Sequence, residues 1–359
     1  MRRWIGGLLT ALIVAVPLLG QDKGAADKGS DRAKQFREVQ EDYQKAIPGV
    51  ARAFQAAKTV KEKQELLEKL NQDFAPRIIK LVEADPADKM SFDMLTWALR
   101  ALPQVDPKVY DLLAEHWAKD AKIKPVCQFL IMNLQDGGTK LLRNVLNDNP
   151  DKEIKGLACF ALAKMYAGKA ERDKGDKKAA DEAEKLYERA DKDFADVKIG
   201  PAMTIGDLSH GWLFERRHLQ IGMAAPNIGS EDLEGKKVEL KDYKGKVVVL
   251  DIWATWCPPC RAMIPHEREM VEKLKDKPFA LISISADEKK DTLKEFLEKE
   301  KMPWTHWWNG SQGGFLKEWN IQHYPTIYVI DAKGVIRYKE LRGAELEEAV
   351  AKLLAEVKK

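Results

Sequence analysis

Cysteine is scarce in this 359-residue chain: Cys127, Cys159, Cys257 and Cys260 are the only four. A structural zinc site needs four ligands, usually from two close pairs, and only one close pair exists. Attachment of a c-type haem needs His directly after the second cysteine, where Arg261 stands. The histidines His306 and His323 have no partner at ligand spacing, so no metal is expected. Neither sign of charge dominates. The 60 basic and 57 acidic side chains leave +3, with no basic stripe of the kind nucleic acid requires.

Long hydrophobic runs are also missing, save one. Met1-Arg2-Arg3-Trp4 carries positive charge, and Ile5 to Leu19 is then almost uninterrupted in its apolarity. That run falls short of the ~20 residues of a spanning helix and reads as a signal peptide over 1–20, with Gly20 before Gln21 as the cleavage point. No cysteine stands near it for lipid anchoring; an uncleaved N-terminal anchor is the alternative. Export, into a bacterial periplasm for example, places the chain where disulfides form and persist. Residues 21–31 are small and charged, as in a flexible linker.

The one close cysteine pair is Cys257-Pro258-Pro259-Cys260, immediately after the apolar stretch Val247–Trp253. Such a run predicts a buried strand, and proline suits the first turn of a helix beginning just beyond it. The first sulfur would then sit where unpaired N–H groups and the helix dipole favour a thiolate. Spacing of three residues lets both sulfurs meet on one turn, so the pair reads as a dithiol/disulfide switch. A peroxidatic cysteine would expect Thr three residues earlier, but Ala254 is there and Thr255 comes one too late. A purely structural disulfide in so short a loop, flanked by Trp256, would be a poor staple.

Residues 221–357 resemble the TlpA/ResA-like thiol–disulfide oxidoreductases, which have a thioredoxin fold. The resemblance is carried by Gly222-Met223-Ala224-Ala225-Pro226, Gly235 through Lys246, Trp256-Cys257-Pro258-Pro259-Cys260-Arg261, Pro265, and Tyr324-Pro325-Thr326 followed by Ile327–Asp331 and Gly334. It implies that Cys257 attacks a partner disulfide and that Cys260 resolves the mixed disulfide. It also implies that Pro325 is the family's cis-proline beside the dithiol; as a residue leading into a strand, Pro325 has a plainer reading as an edge proline. Trp256, Tyr324 and Pro325 are then candidates for binding a polypeptide substrate. Asp251, six residues before Cys257, is expected either to be buried with a raised pKa and accept the proton of Cys260, as the matching Asp of thioredoxin is thought to do, or to be a hydrated strand-end residue paired with lysine. The chain departs from ResA-like reductases in having Met263 where they have Glu, three residues after the second cysteine. The resemblance implies no bound cofactor. The implied partners are exported thiol or disulfide proteins and a membrane or soluble electron donor. It favours a reductase; the rival is a non-catalytic helical scaffold with a redoxin-like docking domain.

The fold class expected is an α-helical, repeat-like N-terminal domain over 32–195, a linker over 196–220, and an α/β thioredoxin-like domain over 221–359. Leu67, Leu70, Phe74, Ile78 and Leu81 recur at three- and four-residue steps on one helical stripe. Helix starts are signalled at Asp85-Pro86, Asp106-Pro107, Lys124-Pro125 and Asn149-Pro150. Cys127 and Cys159 sit in apolar helical faces as small core residues, a bond between them being the alternative. The helical domain carries no catalytic signature; a partner-binding face or a homodimer contact is the expectation there. In the C-terminal domain, strands are predicted at Val247–Trp253, Phe279–Ser285, Thr326–Asp331 and Val335–Lys339. The aromatic segment Trp304–Gly310 adds a further strand. Helices are predicted at Arg261–Leu274, Lys290–Lys299 and Glu345–Val357.

Overall fold

A computed structural model describes residues 31–357, apart from 135, 174, 202, 312 and 313. The expected signal peptide and nearly all of the expected linker after it lie outside the described residues; Asp31 already opens the first helix. Contacts divide the chain after residue 205 into two units.

The first unit is helical, as expected. Helix α1 (Asp31–Ala56) packs on α2 (Val60–Glu83), α2 on α3 (Lys89–Ala101), and α3 on α4 (Pro107–His116). Then come α5 (Lys124–Met132), α6 (Thr139–Asp148), α7 (Lys152–Arg172) and α8 (Lys177–Phe194). Side-chain caps set the starts. The Thr59 hydroxyl accepts the Glu62 N–H at 3.1 Å while the Glu62 carboxylate accepts the Thr59 N–H at 3.2 Å, a capping box. The carboxylates of Asp88, Asp106, Asp151 and Asp176 cap α3, α4, α7 and α8 by accepting backbone N–H groups of the first turn. The starts expected at Asp85-Pro86 and Asn149-Pro150 therefore fall slightly early, because Asp88 and Asp151 supply the caps. Asn149 is instead buried, its amide donating to the carbonyl of Ala118 at 2.8 Å.

The whole predicted stripe of α2 is buried. Helix α7 is buried nearly all round, between α5, α6 and α8. Its Gly156 is needed for that fit: a Cβ there would stand 3.0 Å from Phe194 and from Val197. Cys127 and Cys159 are free, unbonded and buried in this core.

The second unit is an α/β domain around a seven-stranded sheet of order β4-β3-β7-β6-β5-β8-β9. Its strands are β3 (Gly229–Asp232), β4 (Lys237–Glu239), β5 (Val247–Trp253), β6 (Phe279–Ser285), β7 (Thr305–Trp308), β8 (Thr326–Ile330) and β9 (Ile336–Lys339). Strands β5, β6 and β7 run parallel and the other neighbours antiparallel. Burial on both faces explains why β5 reads as a continuous apolar run. Val248, Leu250 and Ile252 point into a core with Ile282, Ile284, Trp307 and Trp319. Val247 and Val249 point the other way, into a core closed by α11 (Ile264–Leu274) and α14 (Gly343–Val357); between these in the chain come α12 (Lys290–Lys299) and α13 (Gly314–Glu318).

Three expectations need correction. Residues 196–220 are not a plain linker: they form a hairpin, β1 (Lys198–Gly200) with β2 (Met203–Thr204), and helix α9 (Ile205–His218). The helix expected over Arg261–Leu274 is two, α10 (Pro258–Arg261) and α11. Pro265 lacks an amide hydrogen and falls in the first turn of α11, a position proline favours, so the break falls just before it. The β3–β4 hairpin was not expected at all.

Candidate active site

Strand β5 ends at Trp253, and the chain turns through Ala254-Thr255-Trp256 into the cysteines. Asp287, in the loop after β6, fixes that turn. Its carboxylate accepts the backbone N–H of Thr255 at 3.2 Å, the Thr255 hydroxyl at 2.7 Å and the Ser285 hydroxyl at 2.7 Å. Asp287 is fully buried. Sequence reasoning missed it, since a polar loop residue gives no hint of three converging donors.

Cys257 is the N-cap of α10, with Pro258 in its first turn. Its sulfur accepts the N–H of Cys260 at 3.3 Å and is bonded to the sulfur of Cys260, the two Cα atoms being 5.3 Å apart. That separation lies in the ordinary range for a disulfide. Each cysteine is 3% exposed. Their chain neighbours Trp256, Pro258 and Pro259 are all exposed. Trp256, at 64% exposed, is a large apolar side chain left in water and packs edge-on against Tyr324, with ring centres 5.8 Å apart. Tyr324 also packs against the cluster that holds both cysteines, and the peptide bond between Tyr324 and Pro325 is cis. Arg342 donates to the carbonyl of Pro325 at 3.2 Å. The structure thus brings Cys257, Cys260, Trp256 and Tyr324 together.

Asp251 points to the face of β5 that carries the dithiol and is 4% exposed. No lysine pairs with it; its Oδ2 accepts the Ser283 hydroxyl at 3.3 Å, and that hydroxyl accepts the Trp304 indole N–H at 2.9 Å. Burial pushes the Asp251 carboxyl up to about 7. The Ser283 hydrogen bond and the positive charge of Arg342 pull against that rise, and Glu340 adds to it. Met263, where ResA-like reductases have Glu, packs against the apolar core instead.

Along the outer side of α10 runs a groove of about 340 Å³ lined by Pro258, Arg261, Ala262, Ile264, Pro265, Phe296 and Glu300. The guanidinium of Arg261 lies over the ring of Phe296, 5.6 Å from its centre. His306 is buried on β7, donating from Nε2 to the carbonyl of Met302 at 3.0 Å, while His323 is exposed and lies 3.4 Å from Glu340. Among the described residues no three His, Cys, Asp or Glu side chains converge as a metal site.

A buried disulfide at a helix start, just beyond an interior strand of such a sheet, defines a thioredoxin-like domain built around a dithiol. Residues 221–339 match the AhpC/TSA family. The thiol-disulfide oxidoreductase ResA of Bacillus thuringiensis subsp. konkukian is 33% identical over 150 residues, 42% of this chain and 86% of that protein. The thioredoxin-like protein YneN of Bacillus subtilis is 33% identical over 122 residues, 33% of this chain and 70% of that protein. Among solved structures, the thioredoxin domain of a thiol-disulfide oxidoreductase from Bacteroides vulgatus is 33% identical, covering 38% of this chain and 98% of that one at a TM-score of 0.36. The chain belongs to the ResA-like family of thiol–disulfide oxidoreductases, with an added helical unit ahead of the family domain.

Proposed function

We propose that the chain is an exported protein-disulfide reductase acting on other exported proteins, with Cys257 as the attacking thiol, Cys260 as the resolving thiol and Asp251 as the proton acceptor. The observation that carries this reading is the Cys257–Cys260 bond at a helix start, with the N–H of Cys260 aimed at the sulfur of Cys257. In the reduced state that N–H stabilises a thiolate at Cys257. The thiolate attacks a sulfur of the partner's disulfide, whose other sulfur leaves as a thiolate and takes a proton. Cys260 gives its proton to Asp251 and attacks the sulfur of Cys257. The partner is released with two thiols, and the Cys257–Cys260 bond re-forms. A dithiol donor, membrane-bound or soluble, must then supply two electrons and two protons to restart the cycle. Trp256, Tyr324 and Pro325 would hold the incoming segment. Export is supported by the charged, apolar N-terminus read from the sequence.

Two measurements test this. Cys260→Ser expressed with its own signal should accumulate a mixed disulfide through Cys257, and the captured protein names the partner. No trapped adduct would favour the scaffold reading. The reduction potential should lie nearer thioredoxin's value of about −270 mV than the roughly −120 mV of a strong oxidant; a value at the oxidising end would reverse the direction.

A further inference from the structure

Beside the dithiol, the proposed chemistry leaves a buried carboxyl unused. Glu267 stands seven residues after Cys260, on α11, and is 2% exposed. One turn on, Met270 packs on Val249 and Leu281 of the sheet. Glu267 therefore presents to the same sheet face nearer the dithiol, where β5 and β6 carry Asp251 and Ser283 side by side in register. Glu267 is on the helix's apolar stripe with Ile264 and Met270, so its carboxyl goes inward with them.

Both carboxyls are short of partners. Oε1 of Glu267 and Oδ1 of Asp251 are buried with no hydrogen-bond partner among the described residues. An unpartnered buried acceptor costs roughly 1–3 kcal/mol, and two buried carboxyls, one acting on the other through its charge, resist ionising together. A single proton kept on one of them removes both difficulties, because it turns one acceptor into a donor for the other.

We propose that Glu267 is a positioning residue for the resolving step: it keeps its proton through the neutral range and donates it, directly or across one water, as a hydrogen bond to ionised Asp251. The inference rests on Asp251 being the proton acceptor for Cys260. Burial first, and then the negative charge of Asp251, hold the Glu267 carboxyl well above the ordinary glutamate range. The pair then titrates as a unit. Before resolution it holds one proton, on Glu267; when Cys260 loses its proton to Asp251 the pair holds two. Other titratable groups surround the pair. From β7, His306 is the cross-strand neighbour of Ser283, and burial keeps its ring neutral. From the turn after β9, Arg342 and Glu340 act on Asp251 in opposite senses. From α14, Glu347 is turned to His266 and Lys273. None of these supplies a donor to Oδ1 of Asp251.

The test is the pH dependence of single-turnover substrate reduction by the full chain, for wild type, Glu267→Gln, Glu267→Met and Asp251→Asn. Gln retains a donor, so its midpoint should stay close to wild type. Met removes the donor and should raise the midpoint by about one pH unit, the loss of one hydrogen bond to a charged group. Equal behaviour of Gln and Met, or a Met variant with the wild-type profile, overturns the proposal. A wild-type midpoint surviving in Asp251→Asn overturns the proton-acceptor reading and this inference with it. A midpoint lost in Asp251→Asn but unmoved by Met overturns the Glu267 role alone. Should the Met variant not fold, infrared spectroscopy of Glu267→Gln at pH 7 decides instead. One protonated-carboxyl band must disappear relative to wild type, and its persistence shows that Glu267 was ionised.

Discussion

Replacing Asp251 with Asn should make the C-terminal unit more stable at alkaline pH, and the gain can be sized. In the unfolded chain the carboxyl titrates at its ordinary 3.8; buried in the fold it titrates at about 7. Below pH 3.8 both states hold the proton and the group is neutral in its effect. Between 3.8 and 7 the unfolded chain has lost the proton and the native state keeps it, so stability falls as pH rises. Above 7 both are ionised and the full penalty applies. At about 1.36 kcal/mol per pKa unit the penalty is roughly 4 kcal/mol, of which about 3 kcal/mol enters between pH 5 and pH 8. The quantity to measure is the difference between Asn variant and wild type as a function of pH, because packing changes at the site cancel from it. Glu267 feels the Asp251 charge as well, and its share has the same sign. Urea unfolding of the oxidised full chain suits the purpose, followed by tryptophan fluorescence. Seven of the ten tryptophans lie beyond residue 205. The variant should gain on wild type from pH 5 to about pH 7 and level off by pH 8. A difference constant within about 1 kcal/mol over that span would show that Asp251 is solvated or paired, and the buried-acceptor argument would fail.

Two further outcomes follow from burial. Asp287→Ala strands the Thr255 amide and the Thr255 and Ser285 hydroxyls and should cost roughly 3–5 kcal/mol, with Thr255→Val costing clearly less in the same denaturation assay; equal costs would mean that the tether is not the source. Cys127 and Cys159 are fully buried, and burial pushes both thiols up to about 12, so the oxidised native chain should give no reaction with a thiol reagent and two equivalents once denatured. Two reactive thiols in the native chain would contradict the helical core described above.

How far the sequence told this story depends on where each signal was stored. Strands β5 and β6 and helix Lys290–Lys299 coincide with their predicted bounds, because two-sided burial and amphipathic spacing are local patterns. The dithiol, with Trp256 beside it, was legible for the same reason. Helix α9 escaped because its buried positions Ile205, Ser209 and Leu213 include a serine, which blurs the apolar stripe. Hairpin β3–β4 escaped because Gly229-Ser230-Glu231-Asp232 lacks apolar alternation; edge pairing to β7, a distant segment, is what makes it a strand. Glu267 sits among Glu-Arg-Glu in the chain and so reads as solvated surface. Its membership of the stripe Ile264, Met270, Val271 and Leu274 was the available sign that it turns inward. The Asp287 tether joins residues 32 apart in sequence, and no local pattern encodes it.

The loop bearing the two sulfurs springs from β5, an interior strand of the seven, and is tied down by Asp287 in the loop after its neighbour β6. Fraying begins at sheet margins and leaves such a strand to the last. The sulfurs therefore cannot swing out to meet a client without dismantling the fold. Under the proposed function, a client would bring its own disulfide as a pliable strand or loop, laid across the collar of indole and proline rings, and selectivity would fall to what can be bent into that shape.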